Sequence, residues 1–335
     1  MKTIAVAVVI PCYRVTRHVC SVIAEIGSEC DRIFAVDDGC PDGSGDFIEK
    51  QCNDPRVVVI RNVENTGVGG AMIAGYRAAL EAGYDVVVKI DGDGQMDPSL
   101  LSEFIAPIVT GEADYTKGNR FFDLEAVKAM PGIRLFGNAL LSFMTKLSSG
   151  YWDIFDPTNG YTAIHRDALA RLPLKKLSKR YFFETDMLFR LNMLRAVVVD
   201  IPMAARYGDE VSNLRISKII GEFFFKHMRN FLKRIMYNYY LRDVSIASIE
   251  LPLGLLLMSF GVIYGGWHWL ESSQAGTATP IGTVMLSALS TLMGLQFLLA
   301  FLAYDISSTP RRVLQRRIVD PDRKRSKPTK SENID

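Results

Sequence analysis

Short apolar runs that stop at polar or turn residues recur through the first hundred residues of the chain. Each run is continuous rather than alternating, which is typical of parallel strands buried on both faces. The candidate strands are Ile4 to Ile10, stopped by Pro11, then Ile33 to Val36, Val57 to Ile60 and Val86 to Ile90. The helix-like stretches between them are Val19 to Ser28, Asp46 to Gln51 and Gly70 to Ala82. This alternation predicts a Rossmann-like, doubly wound α/β domain, in which ligands bind beyond the carboxyl ends of the strands.

After about residue 110 the pattern loosens into mixed helices and loops. Turn signals stand at Pro131-Gly132, Asp156-Pro157 and Asn159-Gly160. We expect this half of the domain to build the side of the crevice that binds a second substrate.

Between Arg215 and Arg242 the chain becomes amphipathic. The apolar positions recur at helical spacing and are Ile216, Ile220, Phe223, Phe224, Met228, Phe231 and Ile235. The charged positions opposite them are Lys218, Glu222, Lys226, Arg229 and Lys233. An aromatic-rich apolar face opposite a basic face is typical of a helix that lies in a membrane interface. A surface helix packed on the globular domain is the alternative.

Two long apolar stretches follow, Leu251 to Leu270 and Ile281 to Tyr304. Each reaches the roughly 20 residues that a membrane span needs, and neither holds an interior Lys or Arg. Basic residues crowd both flanks but not the connecting ESSQAGTATP, so the positive-inside rule places both ends in the cytoplasm. A buried hairpin of a soluble protein is the alternative. The predicted divisions are an N-terminal domain at 1–212, interfacial helices at 213–243, a two-helix anchor at 244–306 and a basic cytoplasmic tail at 307–335.

Composition narrows the classes of function. The net charge of the 335-residue chain is only +2, which argues against a nucleic-acid partner. The cysteines offer no C-x-x-C pair, and no histidine cluster completes a zinc site. They are Cys12, Cys20, Cys30, Cys40 and Cys52. Their odd number fits a disulfide framework poorly, so we expect ordinary thiols in a reducing cytosol.

The strongest chemical signal is KIDGDGQMDP, which runs from Lys89 to Pro98 directly after an apolar run. Asp91 and Asp93 stand one residue apart, so both carboxylates can converge on a hard divalent cation, and Gly92 lets the backbone approach a ligand. Mg²⁺ or Mn²⁺ held in this way would bridge a diphosphate and offset charge on a leaving nucleotide. An EF-hand is excluded, because the final loop Glu is missing and a strand precedes the loop. A turn without a metal is the alternative.

A second signal, AVDDGCPDGS at 35–44, also follows a predicted strand. A carboxylate of Asp37 or Asp38 can accept a hydrogen bond from a nucleobase N–H, although Asp-Gly pairs also form simple turns. Pro11 and Tyr13 stand at the end of the first strand. Together these residues outline one crevice shared by three strand ends.

With these motifs in order, the sequence resembles the family 2 glycosyltransferases, most closely their polyprenyl-phosphate branch of dolichol-phosphate mannose synthase-like enzymes. The resemblance implies a GT-A fold, a nucleotide-sugar donor, Mg²⁺ or Mn²⁺, and a lipid-phosphate acceptor at the membrane. The matching segments are VVIPCYR at 8–14, VDDGCPDGS at 36–44, NTGVGGAMIAGYRAAL at 65–80, DGDGQMDP at 91–98, KGNR at 117–120 and DPTNGYTAIHRDAL at 156–169.

The resemblance also implies roles by position. The residues implied for the nucleoside are Pro11, Tyr13, Asp37 and Asp38, and those implied for the metal and diphosphate are Asp91, Asp93 and Gln95. The residues implied for the donor or acceptor phosphates are Arg120, Arg134, Asn138 and Arg206. The planar fork of a guanidinium suits such phosphate contacts. Asp156, Glu184 and Asp186 are candidates for sugar contacts or for structural hydrogen bonds.

The resemblance leaves several readings to be separated. A processive polysaccharide synthase would carry a Gln-x-x-Arg-Trp motif and more membrane spans, and neither is visible in this sequence. A sugar-nucleotide pyrophosphorylase would carry a glycine-rich basic loop where this sequence has VVIPCYR. A membrane scaffold without activity would not need the full set of acidic residues. A UDP-sugar is favoured over GDP-mannose by similarity alone, and the chain length of the prenol and a homo-oligomeric state are left open.

Overall fold

The structure is a computed structural model of the chain and describes residues 4–122, 132–204 and 216–317. A seven-stranded sheet runs through this described part, with the strand order β3-β2-β1-β4-β6-β5-β7. The strands are β1 Val6–Cys12, β2 Arg32–Asp38, β3 Val57–Asn62, β4 Val86–Lys89, β5 Tyr115–Asn119, β6 Thr162–His165 and β7 Val198–Pro202. Strands β1 to β4 pair in parallel, β6 is antiparallel to both of its neighbours, and β5 pairs with β7 in parallel.

The helices that connect and flank these strands follow the same chain order. They are α1 Val19–Glu25, α2 Ser44–Gln51, α3 Val68–Glu81, α4 Leu101–Val109, α5 Gly132–Ser149, α6 Arg166–Leu169, α7 Phe183–Leu194, α8 Ile216–Met236, α9 Ile246–Gln274, α10 Ile281–Ser307 and α11 Leu314–Arg317. A π-helical turn, Tyr237–Arg242, continues α8.

The four predicted strands and the three helices between them are confirmed, with one correction at Pro11. Strand β1 does not stop at this proline but continues to Cys12, with Pro11 opposite Val36 of β2. The carbonyl of Val9 accepts from the N–H of Ile90 on the β4 side, where pairing between β1 and β4 ends. The backbone polar groups of residues 9 and 11 point toward the same neighbouring strand, β4. An N–H at residue 11 would therefore lie beyond the end of the β1–β4 pairing, so its absence in Pro11 breaks no hydrogen bond between strands.

The prediction of mixed helices and loops after about residue 110 was wrong in one respect, because three further strands lie there. Two of them carry polar side chains inside the sheet. Strand β5 reads YTKGN and β6 reads TAIH, yet all their residues are buried. Neither segment is a continuous apolar run, so the hydrophobic pattern of the sequence does not predict a strand at either position.

The cysteine prediction was also wrong, since Cys20 and Cys52 form a disulfide with their Cα atoms 5.7 Å apart. Cys20 lies on α1, and Cys52 directly follows α2. Packing of these helices brings together two residues that are 32 positions apart in the chain. Of the other cysteines, Cys12 and Cys30 are buried free thiols, and Cys40 is half-buried.

The chain divides into two compact units. The first comprises Met1–Phe143, Asp153–Ile219 and Pro310–Asp335, and the second comprises Met144–Trp152 and Ile220–Thr309. The core of the first unit lies between the sheet and its helices and is built around apolar residues of β1 and β4, such as Val8, Ile10 and Val88, each of which is fully buried.

The described part of Pro310–Asp335 folds back on the first unit. Both carboxylate oxygens of Asp114 accept from the N–H of Leu314, at 2.8 and 2.9 Å. The side chain of Gln315 donates to the carbonyls of Ile108 and Ala113. The chain just beyond α10 therefore donates hydrogen bonds to the last turn of α4 and to the loop that follows it.

In the second unit, α9 and α10 form a hairpin and approach closely at small residues. A Cβ added at Gly261 would lie 2.7 Å from the backbone N of Thr291, so only glycine allows this approach. Both helices are long and apolar enough to cross a membrane. They include the two predicted stretches and extend them at both ends, except that α10 begins at the predicted Ile281.

A buried ion pair holds α8 to the end of α10 within the same unit. Arg234 donates to Asp305 at 2.6 and 3.0 Å and to the carbonyl of Leu147 at 2.8 Å. The side chains of Tyr239 and Trp152 also donate to the carboxylate of Asp305. Arg234 and Asp305 are each 1% exposed, so this cluster is sealed from solvent.

Candidate active site

The carboxyl ends of six strands meet at one edge of the sheet. Strands β1 to β4 point the same way, and because β6 is antiparallel to both β4 and β5, strands β5 and β7 share that direction. The turn Asp156–Gly160, which leads into the antiparallel β6, lies at the same edge. The predicted polar residues therefore all lie at this edge, where 37–38 end β2, 91–95 follow β4 and 120 follows β5.

Asp37 accepts hydrogen bonds from the segment after β2, and Asp38 accepts them from the end of β3 and the loop that follows it. Asp37 accepts from the N–H groups of Cys40 and Gly45 at 2.8 and 2.7 Å. Asp38 is 2% exposed and accepts from Asn62, from both the N–H and the hydroxyl of Thr66, and from the N–H of Gly67. The two aspartates thus shape the loops after β2 and β3, and a contact with a nucleobase stays a prediction for both.

The Asp91–Gln95 loop offers oxygen ligands. Asp93 accepts from the N–H of Gln95 at 3.0 Å, and the Asp91 side chain is 27% exposed. Within the described ranges, no three histidine, cysteine or acidic side chains converge on one point. Mg²⁺, however, usually binds through one or two carboxylates together with substrate phosphates, so the donor set present fits such an ion.

Lys89 is buried beneath this loop. Its Nζ donates to Asp91 Oδ1 at 2.6 Å and to the carbonyl of Gly160 at 3.1 Å, and it lies 3.5 Å from Glu184 Oε1. Burial alone would lower the pKa of Lys89, but the charges of Asp91 and Glu184 outweigh it and raise the pKa. The lysine is therefore a buried cation held against the Asp91 carboxylate.

Arg120 is held by Asp156 in a two-pronged contact. Its Nε and Nη2 donate to the two carboxylate oxygens at 2.8 and 3.0 Å, and its backbone N–H donates to one of them. Burial would raise the pKa of Asp156, but Arg120 outweighs it and holds that pKa below its usual range. The arginine side chain remains about one third exposed, at 31%, so it can still meet a phosphate.

Two more ionisable residues, one buried and one half-buried, lie nearby on β5 and β7. Lys117 is fully buried and donates to the carbonyl of Asn159, and burial lowers its pKa to about 8. Asp200 stands opposite Lys117 in the register and accepts from Asn119 and from the N–H of Phe155. Burial raises the pKa of Asp200 to about 6.

The remaining predicted residues divide between those that the structure places and those that it does not describe. Tyr13 is exposed beyond β1, and Asn138 lies half-buried on α5. The side chain of Arg134 and the whole of Arg206 lie outside the described part of the chain. Asp186 is buried and binds the N–H of Ser178 and the side chain of Arg190, which is a structural use.

Sequence reasoning missed Lys89 and Lys117 as members of the site. Lys89 had a signal, since it stands immediately before the DGDG segment and ends an apolar run. Lys117 opens the matching segment KGNR, but its contact with Asn159 had no local signal, because the two residues are 42 positions apart.

The sequence of the chain is similar to those of known glycosyltransferases. The family described as "Glycosyl transferase family 2" matches residues 7–172. An undecaprenyl-phosphate mannosyltransferase of Micrococcus luteus is 33% identical over 57% of this chain and 78% of its own. A polyprenol monophosphomannose synthase of Mycolicibacterium smegmatis is 31% identical, covering 64% and 80%. A UDP-N-acetylglucosamine–dolichyl-phosphate N-acetylglucosaminyltransferase of Methanococcus voltae is 29% identical, covering 60% and 85%.

Among solved structures, glucosyl-3-phosphoglycerate synthase from Mycobacterium tuberculosis with Mn²⁺, UDP and glucosyl-3-phosphoglycerate aligns with a TM-score of 0.51. The two chains are 19% identical, and the match covers 69% of this chain and 79% of that one. A complex of the same enzyme with Mg²⁺ and UDP also gives 0.51. Likeness at this identity shows the fold alone, and the predicted GT-A arrangement is confirmed.

Proposed function

This chain belongs to glycosyl transferase family 2, and from that premise we propose that it transfers a hexose from a nucleotide-diphosphate sugar to a polyprenyl phosphate. The product, a polyprenyl-phosphate sugar, would serve glycosylation of the cell envelope or of proteins. Relatives named for undecaprenyl, polyprenol and dolichyl phosphate acceptors support the acceptor class. Their names give mannose in two cases and N-acetylglucosamine in the third, so the sugar is not carried over. A UDP-sugar remains the favoured donor, and GDP-mannose remains an alternative.

The observation that carries the proposal is the placement of one turn, Asp156–Gly160. At one end, Gly160 packs against Asp91, with Asp91 Oδ2 2.5 Å from where a Cβ on Gly160 would lie. At the other end, Asp156 grips Arg120. A carboxylate suited to a metal–diphosphate and a guanidinium suited to a phosphate thus both contact the same turn.

The chemistry demands little proton transfer. A phosphate monoester has a second pKa near 6, so at neutral pH the acceptor is already mostly dianionic and needs no strong base. One of its oxygens would attack the anomeric carbon as the bond from that carbon to the diphosphate oxygen breaks, which inverts the configuration. The nucleoside diphosphate leaves with the bonding electrons.

Charge is the greater difficulty, because two anions must meet. At about 5 Å their repulsion amounts to several kcal/mol at an intermediate dielectric. Arg120 would offset this repulsion on the acceptor side, and Arg134 and Arg206 stay predictions for the same task. Asp91, Asp93 and Gln95 would hold Mg²⁺ or Mn²⁺, which neutralises the diphosphate when it is bound.

Membrane anchoring is part of the proposal, because a polyprenyl acceptor resides in the bilayer. Only 22% and 17% of the most apolar parts of α9 and α10 are buried in the structure. A core hairpin of a soluble protein would be mostly buried, so exposure favours lipid contact. We expect the segment between α9 and α10 to face the outside and the transferase domain the cytoplasm. Cysteines introduced at 275–279 should react with an impermeant thiol reagent on intact cells, whereas labelling only after lysis would contradict this topology.

A donor screen tests the proposed reaction directly. Purified protein with undecaprenyl phosphate and Mn²⁺ is offered single nucleotide sugars, and the lipid product is identified by mass spectrometry. We expect one donor to yield a polyprenyl-phosphate sugar and the Asp93→Ala variant to yield none. Extended polysaccharide would indicate a processive synthase instead. The absence of both transfer and metal-dependent donor hydrolysis would indicate a scaffold.

A further inference from the structure

Two lysines lie inside the sheet on either side of β6. Lys89 of β4 and Lys117 of β5 are both in register with the same residue, Thr162. They are 1% and 0% exposed. Burying an ammonium group is costly unless it is paired, and an apolar side chain would usually serve a sheet interior better. Their position therefore needs a reason other than stability.

Both ammonium groups bind the turn that precedes β6, at consecutive carbonyls. Lys117 donates to the carbonyl of Asn159, and Lys89 donates to that of Gly160 at 3.1 Å. Lys89 also binds Asp91 at 2.6 Å. The turn is thus held from both of its flanking strands.

Gly160 makes the connection to Asp91 sensitive to position. An added Cβ would lie 2.5 Å from Asp91 Oδ2 and would also collide with Lys89 Nζ. Gly160 is not among the glycines with positive φ, so space rather than backbone conformation requires glycine there. A displacement of the turn toward Asp91 would therefore push on its carboxylate.

We propose that Lys89 and Lys117 are positioning residues that fix the turn Asp156–Gly160 and, through it, place Asp91 relative to Arg120. Lys89 acts on the Asp91 end, because it touches both the turn and the carboxylate. Lys117 acts on the Arg120 side, because it lies on β5, the strand that Arg120 directly follows, and because it binds the turn at Asn159, whose N–H donates to the carbonyl of Asp156. The inference rests on the proposed function, in which Asp91 serves the metal–diphosphate and Arg120 the acceptor phosphate.

The test distinguishes an effect on Asp91 from an effect on Arg120, the first by ligand binding and the second by enzyme kinetics. Lys89→Met and Lys117→Met are purified as full-length chains in detergent. Calorimetry measures the Kd for Mn²⁺ together with whichever of UDP and GDP the wild type binds, and kcat and KM are measured for the lipid phosphate. Lys50→Met, at an exposed lysine of α2, is the matched control and should change neither quantity.

We expect Lys89→Met to raise the Kd for metal and nucleotide by about 10- to 100-fold, as loss of a residue that orients a metal ligand does. Lys117→Met should leave that Kd unchanged and lower kcat/KM for the lipid phosphate by about 10- to 100-fold, because Arg120 is misplaced. A purely structural role would instead lower the melting temperature of each variant without this division.

Gly160→Ala provides a second route that keeps both lysines. It should raise the Kd for metal and nucleotide as Lys89→Met does. If Lys89→Met fails to fold, the Kd of Gly160→Ala tests the positioning role in its place. The positioning role is overturned if the wild type binds metal and nucleotide and folded Lys89→Met or Gly160→Ala binds them equally well. If the wild type binds neither nucleotide with Mn²⁺, the proposed function itself fails.

Discussion

Clusters of charged residues occur in both compact units, but they differ in how far they are open to solvent. In the second unit, Arg234 and Asp305 are sealed and surrounded by hydrogen-bonding partners. In the first unit, Asp91 pairs with Lys89 and Arg120 pairs with Asp156, and Asp91 and Arg120 each keep about a quarter to a third of the side chain exposed. Burial and pairing alone therefore do not mark a site. The mark is a charge that is held in place yet still open to a ligand.

We call Lys89, Asp91, Arg120 and Asp156 the open cluster, and Arg234 and Asp305 the sealed cluster. The largest effect should come from removing a carboxylate at the predicted metal site beside the open cluster. Asp93→Ala and Asp91→Ala should each abolish transfer, a loss of about three orders of magnitude or more, or at least about 4 kcal/mol in the barrier. The wild type should lose activity in excess EDTA. Glu81→Ala, at an exposed carboxylate of α3, is the control and should transfer normally. Wild-type activity of either aspartate variant in EDTA would contradict the metal site.

Disrupting the sealed cluster should lower stability and leave the chemistry unchanged. Asp305→Ala strands the buried Arg234 charge and should lower the free energy of unfolding by about 3 to 5 kcal/mol. Donor hydrolysis per folded molecule should stay at the wild-type level. Thermal unfolding in detergent measures the first quantity, and Glu271→Ala, at an exposed carboxylate of the same unit, should leave it unchanged. A stable Asp305→Ala variant with impaired chemistry would erase the distinction between the two clusters.

The acceptor side of the open cluster should show an intermediate effect. Arg120→Lys keeps the charge but loses the fork, so activity should fall by one to two orders of magnitude, about 1.5 to 3 kcal/mol. Asp156→Asn should act in the same direction, because it releases the same guanidinium. The double variant should then cost less than the sum of the two single losses. Additive losses in kcat/KM would mean that Asp156 does not act through Arg120.

The comparison also explains what the sequence could reveal. Strands β1 to β4 were predictable because each is a buried apolar run, and so was the position of Asp91 and Asp93 just beyond a strand end, while their contact with a metal stays a prediction. Strands β5 and β6 were not, since Lys117 and Thr162 occupy interior positions. Asp38 was predicted as a ligand contact, but its hydrogen bonds to residues 62–67 form only when β2 and β3 pair. Side-chain contacts with carbonyls 42 or 71 positions away have no local pattern.

The smallest expected effect concerns Asp200 and the pH dependence of stability. With a folded pKa of about 6 against an ordinary value of 3.8, the folded state holds a proton that the unfolded state releases. Stability is therefore greatest below pH 4 and is lost as pH rises through 6, since stability falls with pH wherever the folded state binds more protons. Between about pH 5 and pH 7.5 the loss from this one group is about 1.4 kcal/mol.

Asp200→Asn should remove that loss, because an amide mimics the protonated acid and keeps an oxygen for Asn119 and the N–H of Phe155. Among the described residues, Asp200 Oδ1 is buried without a hydrogen-bond partner, which is why ionisation is unfavourable there. Melting curves of the wild type and the variant across this pH range isolate the effect as a difference, since other groups titrate equally in both. The variant should gain stability relative to the wild type as pH rises. A constant difference across the range would mean that Asp200 is ionised in the folded protein throughout, with Lys117 as its compensating charge.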